Sequence, residues 1–152
     1  MSAERRRRLE RLLDIRKTEL DKRVGELGAA QERERLSLGA YKSAREKTLL
    51  ALAERDERAK RGTSIELWME AEQWLARVKE LETAMRQKMD FASKAVVEAR
   101  MRVAGARREQ AKIEHLLARI RKREQDEENR ADQKANDEAA AATFLRRREE
   151  RA

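Results

Sequence analysis

The residue types that carry most catalytic and metal chemistry are scarce or isolated in this sequence. It contains one histidine, His115, and no cysteine, whereas a metal site needs several converging ligands. The five glycines are scattered, and none belongs to a phosphate-binding GxxxxGK[ST] motif. Acidic pairs such as Glu127–Glu128 occur, but catalysis by carboxylates needs a dry pocket that shifts their pKa values. We therefore predict a protein without catalytic, metal or cofactor sites, and we expect His115 to lie on an outer helix face.

Arginine clusters near the two ends of the chain are the other chemical feature. Arg5–Arg8 and Arg146–Arg148 are unmixed, whereas the two signs of charge interleave along most of the chain. In total, 38 basic and 30 acidic residues give a net charge of +8. Arginine clusters bind phosphates, but only 3% of the residues are aromatic, so side chains that stack on bases are nearly absent. Interleaved charge is typical of solvated helix faces with i,i+4 pairs. Nucleic-acid binding therefore remains only an alternative that the composition disfavours.

The composition indicates the kind of element that positions these residues. The chain has 152 residues, 45% of them charged, and no proline, which is typical of long helices and coiled coils but also of disorder. Hydrophobic periodicity decides between the two. No apolar run approaches 18 residues, and no apolar segment follows the charged N-terminus, so we expect no membrane insertion, no secretion signal and a cytoplasmic location.

A 3.5-residue repeat runs through the second half of the chain. Of its 16 positions only Glu82 and Gln110 are polar, which predicts a long helix with a partner helix alongside it. The repeat consists of Trp68, Ala71, Leu75, Val78, Glu82, Met85, Met89, Ala92, Val96, Ala99, Val103, Ala106, Gln110, Ile113, Leu117 and Ile120.

A weaker apolar stripe in the first half supplies the partner helix. Between the halves, Gly62 is a typical helix stop, and Thr63 with Glu66 predicts a capping box that starts the next helix. We therefore predict an all-α fold, in which two long helices form an antiparallel coiled-coil hairpin. Its packing face in the first helix is predicted to consist of Leu9, Leu13, Leu20, Val24, Leu27, Leu38, Tyr41, Leu49 and Leu52.

The predicted hairpin has helices of unequal length. We expect a single domain over residues 1–152, with helix 1 at about 3–61, a turn at 62–63 and helix 2 at about 64–148. Folding back at Gly62 brings Leu52 near Leu75, and helix 1 ends opposite residue 122 or so. The segment from about 124 onwards is then an overhang without a partner helix, although it contains Phe144 and Leu145. Such an uncovered apolar end is a candidate binding surface.

The two tryptophans have different predicted roles. Trp68 falls on the repeat and is expected to fill the core beside the turn. Trp74 precedes Leu75 and is expected to point outward, where an exposed tryptophan is a typical interface anchor. Packing across the flank of the hairpin is the alternative for Trp74.

Three features together resemble the FliJ/YscO family of type III export apparatus stalk proteins. The first is the layout of two long helices with a turn near residue 62. The second is the segment 68–75, WMEAEQWL, which has an aromatic pair just after the turn. The third is the segment 128–138, ENRADQKANDE, which is similar to the FliJ C-terminal signature, whereas the closing Phe144–Leu145 followed by arginines is more like the YscO branch.

This resemblance implies a non-catalytic cytoplasmic stalk of a flagellar or virulence-type system, at the cytoplasmic face of the inner-membrane export apparatus. Its implied partners are the hexameric export ATPase, the export gate protein and secretion chaperones. The implied gate contacts are Trp74 and Val78. The implied ATPase contacts lie at the paired chain ends: Arg5, Arg6, Arg7, Arg8, Leu9, Leu12, Asp132, Gln133, Asp137, Phe144 and Leu145. The alternative function is a generic coiled-coil scaffold or tether that dimerises through its unpaired tip.

Overall fold

The computed structural model describes residues 2–152, with side chains from residue 3 onwards. Two helices make up this part of the chain: α1, Ser2–Arg61, with 60 residues, and α2, Ile65–Arg151, with 87 residues. The predicted all-α hairpin of two long helices is thereby confirmed. Residue 1, which the predicted domain includes, lies outside the described residues. Between residues 2 and 152, neither helix contains a stretch apolar enough to cross a membrane.

The two helices contribute to two compact units, which are described separately. One unit, Glu19–Ala106, contains the turn and the parts of α1 and α2 that adjoin it. The other comprises the chain up to Thr18 and the chain from Arg107 onwards, so it contains the first turns of α1 and the remainder of α2. In each unit α1 packs against α2 in the antiparallel direction. The single domain remains a prediction.

The turn depends on one glycine and one serine. Gly62 has a φ of +73°, in the left-handed region that costs a residue with a Cβ roughly 1–2 kcal/mol. The Oγ of Ser64 accepts a hydrogen bond of 3.3 Å from the backbone N–H of Leu67, which makes Ser64 the N-cap of α2. The predicted capping box of Thr63 and Glu66 is therefore wrong. The helix begins one residue later than that box requires, so Leu67 takes the position expected for Glu66.

The 3.5-residue repeat of α2 is confirmed as its packing face. All 16 predicted positions from Trp68 to Ile120 are buried or partly buried. Leu75, Val78 and Val96 are each only 2% exposed. His115, two residues after Ile113, is exposed as predicted. Apolar spacing alone was sufficient for α2 because nearly every position of its repeat is apolar.

The packing face of α1 differs from the predicted stripe. Val24, Leu38 and Leu49 were expected inside, but they are 45%, 38% and 56% exposed. The observed face follows a strict alternation of three and four residues in which half of the 16 positions are polar, and all 16 are buried or partly buried. These are Arg6, Leu9, Leu13, Arg16, Leu20, Arg23, Leu27, Ala30, Glu34, Ser37, Tyr41, Ala44, Thr48, Ala51, Arg55 and Arg58.

Small side chains of α1 face larger ones of α2 in the unit that contains the turn. Ala51 forms one core cluster with Leu75 and Val78, and Leu52 packs against this cluster, as predicted for Leu52 and Leu75. Ala30 forms a second cluster with Val96 and Ala99. Alanines in α1 allow the backbones to approach closely, so the larger α2 side chains fill the space between the helices. Arginines tolerate such positions because their aliphatic stems pack while their charged heads reach water.

Thr48 makes the one polar contact in the buried part of this unit. Its side chain is 6% exposed, and its hydroxyl lies 3.2 Å from the Ala44 carbonyl oxygen and 3.3 Å from the Val78 carbonyl oxygen. The first acceptor belongs to α1 and the second to α2. The Ala44 carbonyl alone satisfies the buried hydroxyl, and the Val78 carbonyl adds a polar contact between the two helices.

The other unit contains a polar interruption with unsatisfied atoms. Gln110 donates a hydrogen bond of 2.9 Å from Nε2 to Oε1 of Glu114, but its own Oε1 is buried without a partner. The Nε of Arg16 is likewise buried without an acceptor. A buried polar atom without a partner costs about 1–3 kcal/mol. Gln110 therefore lowers stability at its position in the repeat.

We expect Gln110→Leu to stabilise the hairpin because the substitution removes an unsatisfied acceptor and adds apolar contact. The free energy of unfolding should rise by about 1 kcal/mol, measured by thermal or urea denaturation. Gln73→Leu on the exposed face is the control and should change little. We also expect Gln110→Leu to loosen the register or promote oligomers, since polar residues in a seam restrict both. A lower melting temperature would mean that the fold depends on the hydrogen bond from Gln110.

Candidate functional site

The first candidate surface is the open end, which consists of residues 3–12 of α1 and residues 120–151 of α2. Arg5, Arg7 and Arg8 are exposed, whereas Arg6 is partly buried. Arg6 donates a hydrogen bond of 3.0 Å to Oε2 of Glu124, and Arg8 pairs with Glu4 at 2.9 Å. The arginine cluster is therefore divided: Arg6 joins the two helices, while the others remain on the surface.

A cleft lies where α1 begins beside α2. It has a volume of about 520 Å³ and is open to solvent. The lining is mostly charged and of both signs: Glu4, Arg5, Arg8, Ile120, Arg123, Glu124 and Glu127. Leu9 and Leu12 are partly buried next along α1, so they support the packing there more than they offer free surface.

Beyond Glu124, α2 continues without any covering element in the described chain. Every residue from 125 to 152 is exposed, although the helix continues to Arg151. Asp132, Gln133 and Asp137 all lie on this segment, and Nε2 of Gln133 is 3.4 Å from Oδ1 of Asp137. Phe144 is 65% exposed and Leu145 is 56% exposed. Adjacent large apolar side chains on a free helix are typical anchors for a protein partner.

The side chains of the exposed part of α2 beyond Glu124 change from acidic to apolar to basic along the helix. Residues 125–138 contain six acidic and two basic residues. Four alanines, 139–142, come next, followed by Phe144 and Leu145 and then by Arg146–Arg148. Glu149, Glu150 and Arg151 end the helix. A partner groove that receives this helix would have to be basic, then apolar, then acidic along its length. That order makes recognition directional, because a reversed helix would place like charges together.

The second candidate surface lies close to the turn on α2. Trp74 is 49% exposed, which confirms that it points outward. Leu67 and Leu81, seven residues before and after it, are 48% and 39% exposed. Seven residues are two helical turns in a coiled coil, so Leu67, Trp74 and Leu81 form one apolar row beside the packing face. We call this row the turn-proximal surface.

Two residues near this surface are occupied inside the hairpin. Val78, predicted as an export-gate contact together with Trp74, is only 2% exposed and packs on Ala51 and Leu75. A partner cannot reach its side chain while the hairpin is intact. Trp68 is partly buried as predicted, and the guanidinium of Arg55 lies 5.9 Å from its ring centroid. Arg55 also pairs with Glu72 at 3.2 Å, which joins α1 to α2 near the turn.

Sequence reasoning missed Leu67 and Leu81 as companions of Trp74. The signal was present, because the three residues are separated by seven positions each. It was hidden because the stronger repeat, which faces the other helix, dominates the apolar pattern of α2. A second row at the same spacing becomes visible once that packing face is known.

The side chains whose pKa values are shifted form pairs in which both partners belong to the same helix. The pKa of Glu109 is lowered mainly by its hydrogen bond from Lys112, and that of Glu32 by its hydrogen bond from Arg35. Both are surface pairs with i,i+3 spacing, at 3.0 and 2.6 Å. Helix geometry therefore explains these shifts. Among residues 2–152, no cluster of three His, Cys, Asp or Glu side chains has the geometry to hold a metal ion.

Comparison with known protein families gives a match over nearly the whole chain. The model of a protein family described as flagellar FliJ protein matches residues 5–149. This match includes both helices, the turn, the turn-proximal surface and the exposed segment up to Phe144 and Leu145. No curated protein and no solved structure matches the chain.

Proposed function

The chain belongs to the FliJ family of non-catalytic flagellar export proteins, and we propose that it is a stalk that engages the hexameric export ATPase through its open end. The exposed α2 segment beyond Glu124 carries this proposal. A helix with Phe144 and Leu145 on its surface gains most by inserting into a groove or ring of another protein. The packed part of the hairpin then holds that helix in a defined direction.

The residues proposed to contact the ATPase divide by exposure. Phe144 and Leu145 supply apolar anchors, while Asp132, Gln133 and Asp137 supply polar contacts on the same segment. Arg5, Arg7 and Arg8 offer positive charge beside it. Arg6 acts indirectly, because its bond to Glu124 holds the first turns of α1 against α2. Leu9 and Leu12 act in the same way, through packing.

The turn-proximal surface is proposed to contact the export gate protein. Trp74 is the central anchor, and Leu67 and Leu81 extend the row on both sides. Val78 packs on Ala51 and Leu75 inside the hairpin, so it is not proposed to contact the gate. Secretion chaperones are further proposed partners. The proposed location is the cytoplasmic face of the inner-membrane export apparatus, where the ATPase and the gate are both within reach.

Stimulation of the purified export ATPase tests the proposal. We expect the full chain to bind the hexamer and raise its rate of ATP hydrolysis in a saturable manner. Serum albumin at equal concentration is the control for crowding. A chain that dimerises through its exposed segment and leaves ATPase activity unchanged would instead be a scaffold or tether.

The gate contact predicts a separate effect at Trp74. Trp74→Ala should weaken binding to the cytoplasmic domain of the gate protein by about 2 kcal/mol, as loss of an aromatic anchor does. ATPase stimulation should be unchanged. Met101→Ala is the matched control, since Met101 is 67% exposed on α2 but belongs to neither surface. Equal gate binding by Trp74→Ala and the parent chain, measured by calorimetry, would exclude Trp74 as an anchor.

A further inference from the structure

A groove lies on the flank of the unit Glu19–Ala106, away from both surfaces described above. Leu36 of α1 and Phe91 of α2 line it, with alanines 30, 84, 92 and 95 around them. Phe91 is 77% exposed and Leu36 is 58% exposed. Phe91 follows Trp74 by 17 residues, or about 25 Å along the helix axis. We call this feature the mid-hairpin groove.

The shape of the groove fits a helix. Along α2 its lining residues Ala84, Lys88, Phe91 and Ala95 are separated by four, three and four positions, the spacing of a coiled-coil seam. Ala30 and Ala92 are each 7% exposed and form the floor of the groove, and Ala84 and Ala95 beside them are small. A third helix can therefore approach the two helix backbones closely. Leu36 and Phe91 then stand as two large side chains between which a partner's apolar residues can insert.

The charge around the groove selects the partner. Arg33 and Lys88 are its charged lining residues, and its other polar residues are Ser37 and Gln87. Within residues 2–152, seven other arginines and one other lysine form ion pairs, whereas Arg33 and Lys88 do not. An apolar centre between two unpaired positive charges complements a helix with an apolar stripe and flanking carboxylates. The same groove on a second copy carries the same positive charges, which disfavours pairing of two identical faces.

We propose that the mid-hairpin groove is a docking site for an acidic amphipathic helix of a partner protein. The apolar stripe of that helix contacts Leu36 and Phe91, and its carboxylates pair with Arg33 and Lys88. The groove shares no lining residue with the proposed ATPase and gate contacts. The proposed docking site does not depend on the ATPase or gate contacts.

Binding of designed peptides to the full chain tests this proposal. The probe is a fluorescent helical peptide of about 21 residues. It has leucine and alanine at the a and d positions and glutamate at the e and g positions. A matched peptide carries lysine in place of each glutamate. We expect the acidic peptide to bind, measured by fluorescence anisotropy, and the basic peptide to bind at least about tenfold more weakly.

Two sets of variants locate the peptide. The double substitution Leu36→Ala and Phe91→Ala should weaken binding of the acidic peptide by at least about tenfold. Met101→Ala should leave that binding unchanged. Arg33→Glu with Lys88→Glu should reverse the preference, so that the basic peptide binds better than the acidic one. All four side chains lie at the surface, so melting temperatures should stay close to that of the parent chain, and ATPase stimulation should be unchanged.

Several outcomes would overturn the proposal. Equal affinity for both peptides would show unselective apolar adsorption. Affinity unaffected by the Leu36 and Phe91 substitutions would place the peptide elsewhere. Self-association that Phe91→Ala abolishes, seen by sedimentation velocity, would identify a second copy of the chain as the occupant. Binding to phosphatidylglycerol vesicles that depends on Phe91, without peptide binding, would identify a membrane surface.

Discussion

Removing residues 128–152 is expected to abolish binding to the export ATPase while the rest of the hairpin keeps its stability. The cut leaves Glu124 in place, so the hydrogen bond from Arg6 across the two helices is retained. The residues removed are all exposed, and no described part of α1 covers them. Their loss therefore costs little folding free energy. The melting temperature should change by only about 2 °C or less.

The large effect on binding has a physical reason. Phe144 and Leu145 are 65% and 56% exposed, so both would bury most of their surface only in the complex. Anchors of this kind contribute about 2 kcal/mol or more each, and the acidic part of the segment is lost with them. Pull-down on the ATPase hexamer and measurement of its stimulation both test the result.

The two phenylalanines of the chain form a matched pair of point variants. Phe144→Ala should weaken ATPase binding by roughly tenfold or more. Phe91→Ala, at a residue that is 77% exposed on the other unit, should leave ATPase binding unchanged. If the truncated chain stimulates the ATPase fully, the contact lies on α1 or near the turn. If its melting temperature falls sharply, the exposed segment stabilises the fold.

Introducing aspartate at Ala51 is expected to unfold much of the hairpin, whereas aspartate at Leu49 should be tolerated. Ala51 is 4% exposed and packs on Leu75 and Val78, so its variant buries a carboxylate without a partner. We expect Ala51→Asp to lower the free energy of unfolding by about 3 kcal/mol or more. Leu49 is 56% exposed, so Leu49→Asp should cost only about 0.5 kcal/mol of helix propensity.

This pair of variants tests which face of α1 packs. Hydrophobicity alone predicts the opposite order, because leucine is a larger apolar residue than alanine. Urea denaturation followed by circular dichroism measures both variants under the same conditions. If Leu49→Asp is the more destabilising of the two, the leucine stripe predicted from the sequence would be the true packing face.

The open end and the turn-proximal surface differ in how far sequence could identify them. The exposure of Phe144 and Leu145 could be predicted from the unequal helix lengths, and that of Trp74 from its position outside the repeat. Neither prediction requires knowledge of side-chain packing. The burial of Val78 with Ala51 and Leu75 could also be predicted, because Val78 belongs to the repeat, and its expected role as a gate contact conflicted with that position. Its predicted role came from its position close to Trp74 in the sequence, whereas a partner protein can contact only side chains that are exposed.

The mid-hairpin groove could not be predicted at all. Its lining comes from residues 30–37 of α1 and 84–95 of α2, and their proximity depends on the register of the two helices. Neither Leu36 nor Phe91 lies on the apolar repeat of its helix, so nothing in the sequence connects the two residues. Only the antiparallel pairing places them on the same flank.

The sequence by itself determined the two-helix fold, the place of the turn and the packing face of α2. A 3.5-residue repeat with only two polar positions defines a single packing face, and Gly62 can adopt the left-handed conformation that ends a helix. Local sequence information is therefore sufficient for these features. The tertiary structure decided the packing face of α1, where Ala30 and Ala51 lie inside and Leu49 lies outside. The reason is that α2 already supplies large side chains such as Leu75 and Val96. Opposite these side chains, the packing face of α1 places alanines and arginine stems between its leucines, which hydrophobicity along one helix cannot reveal.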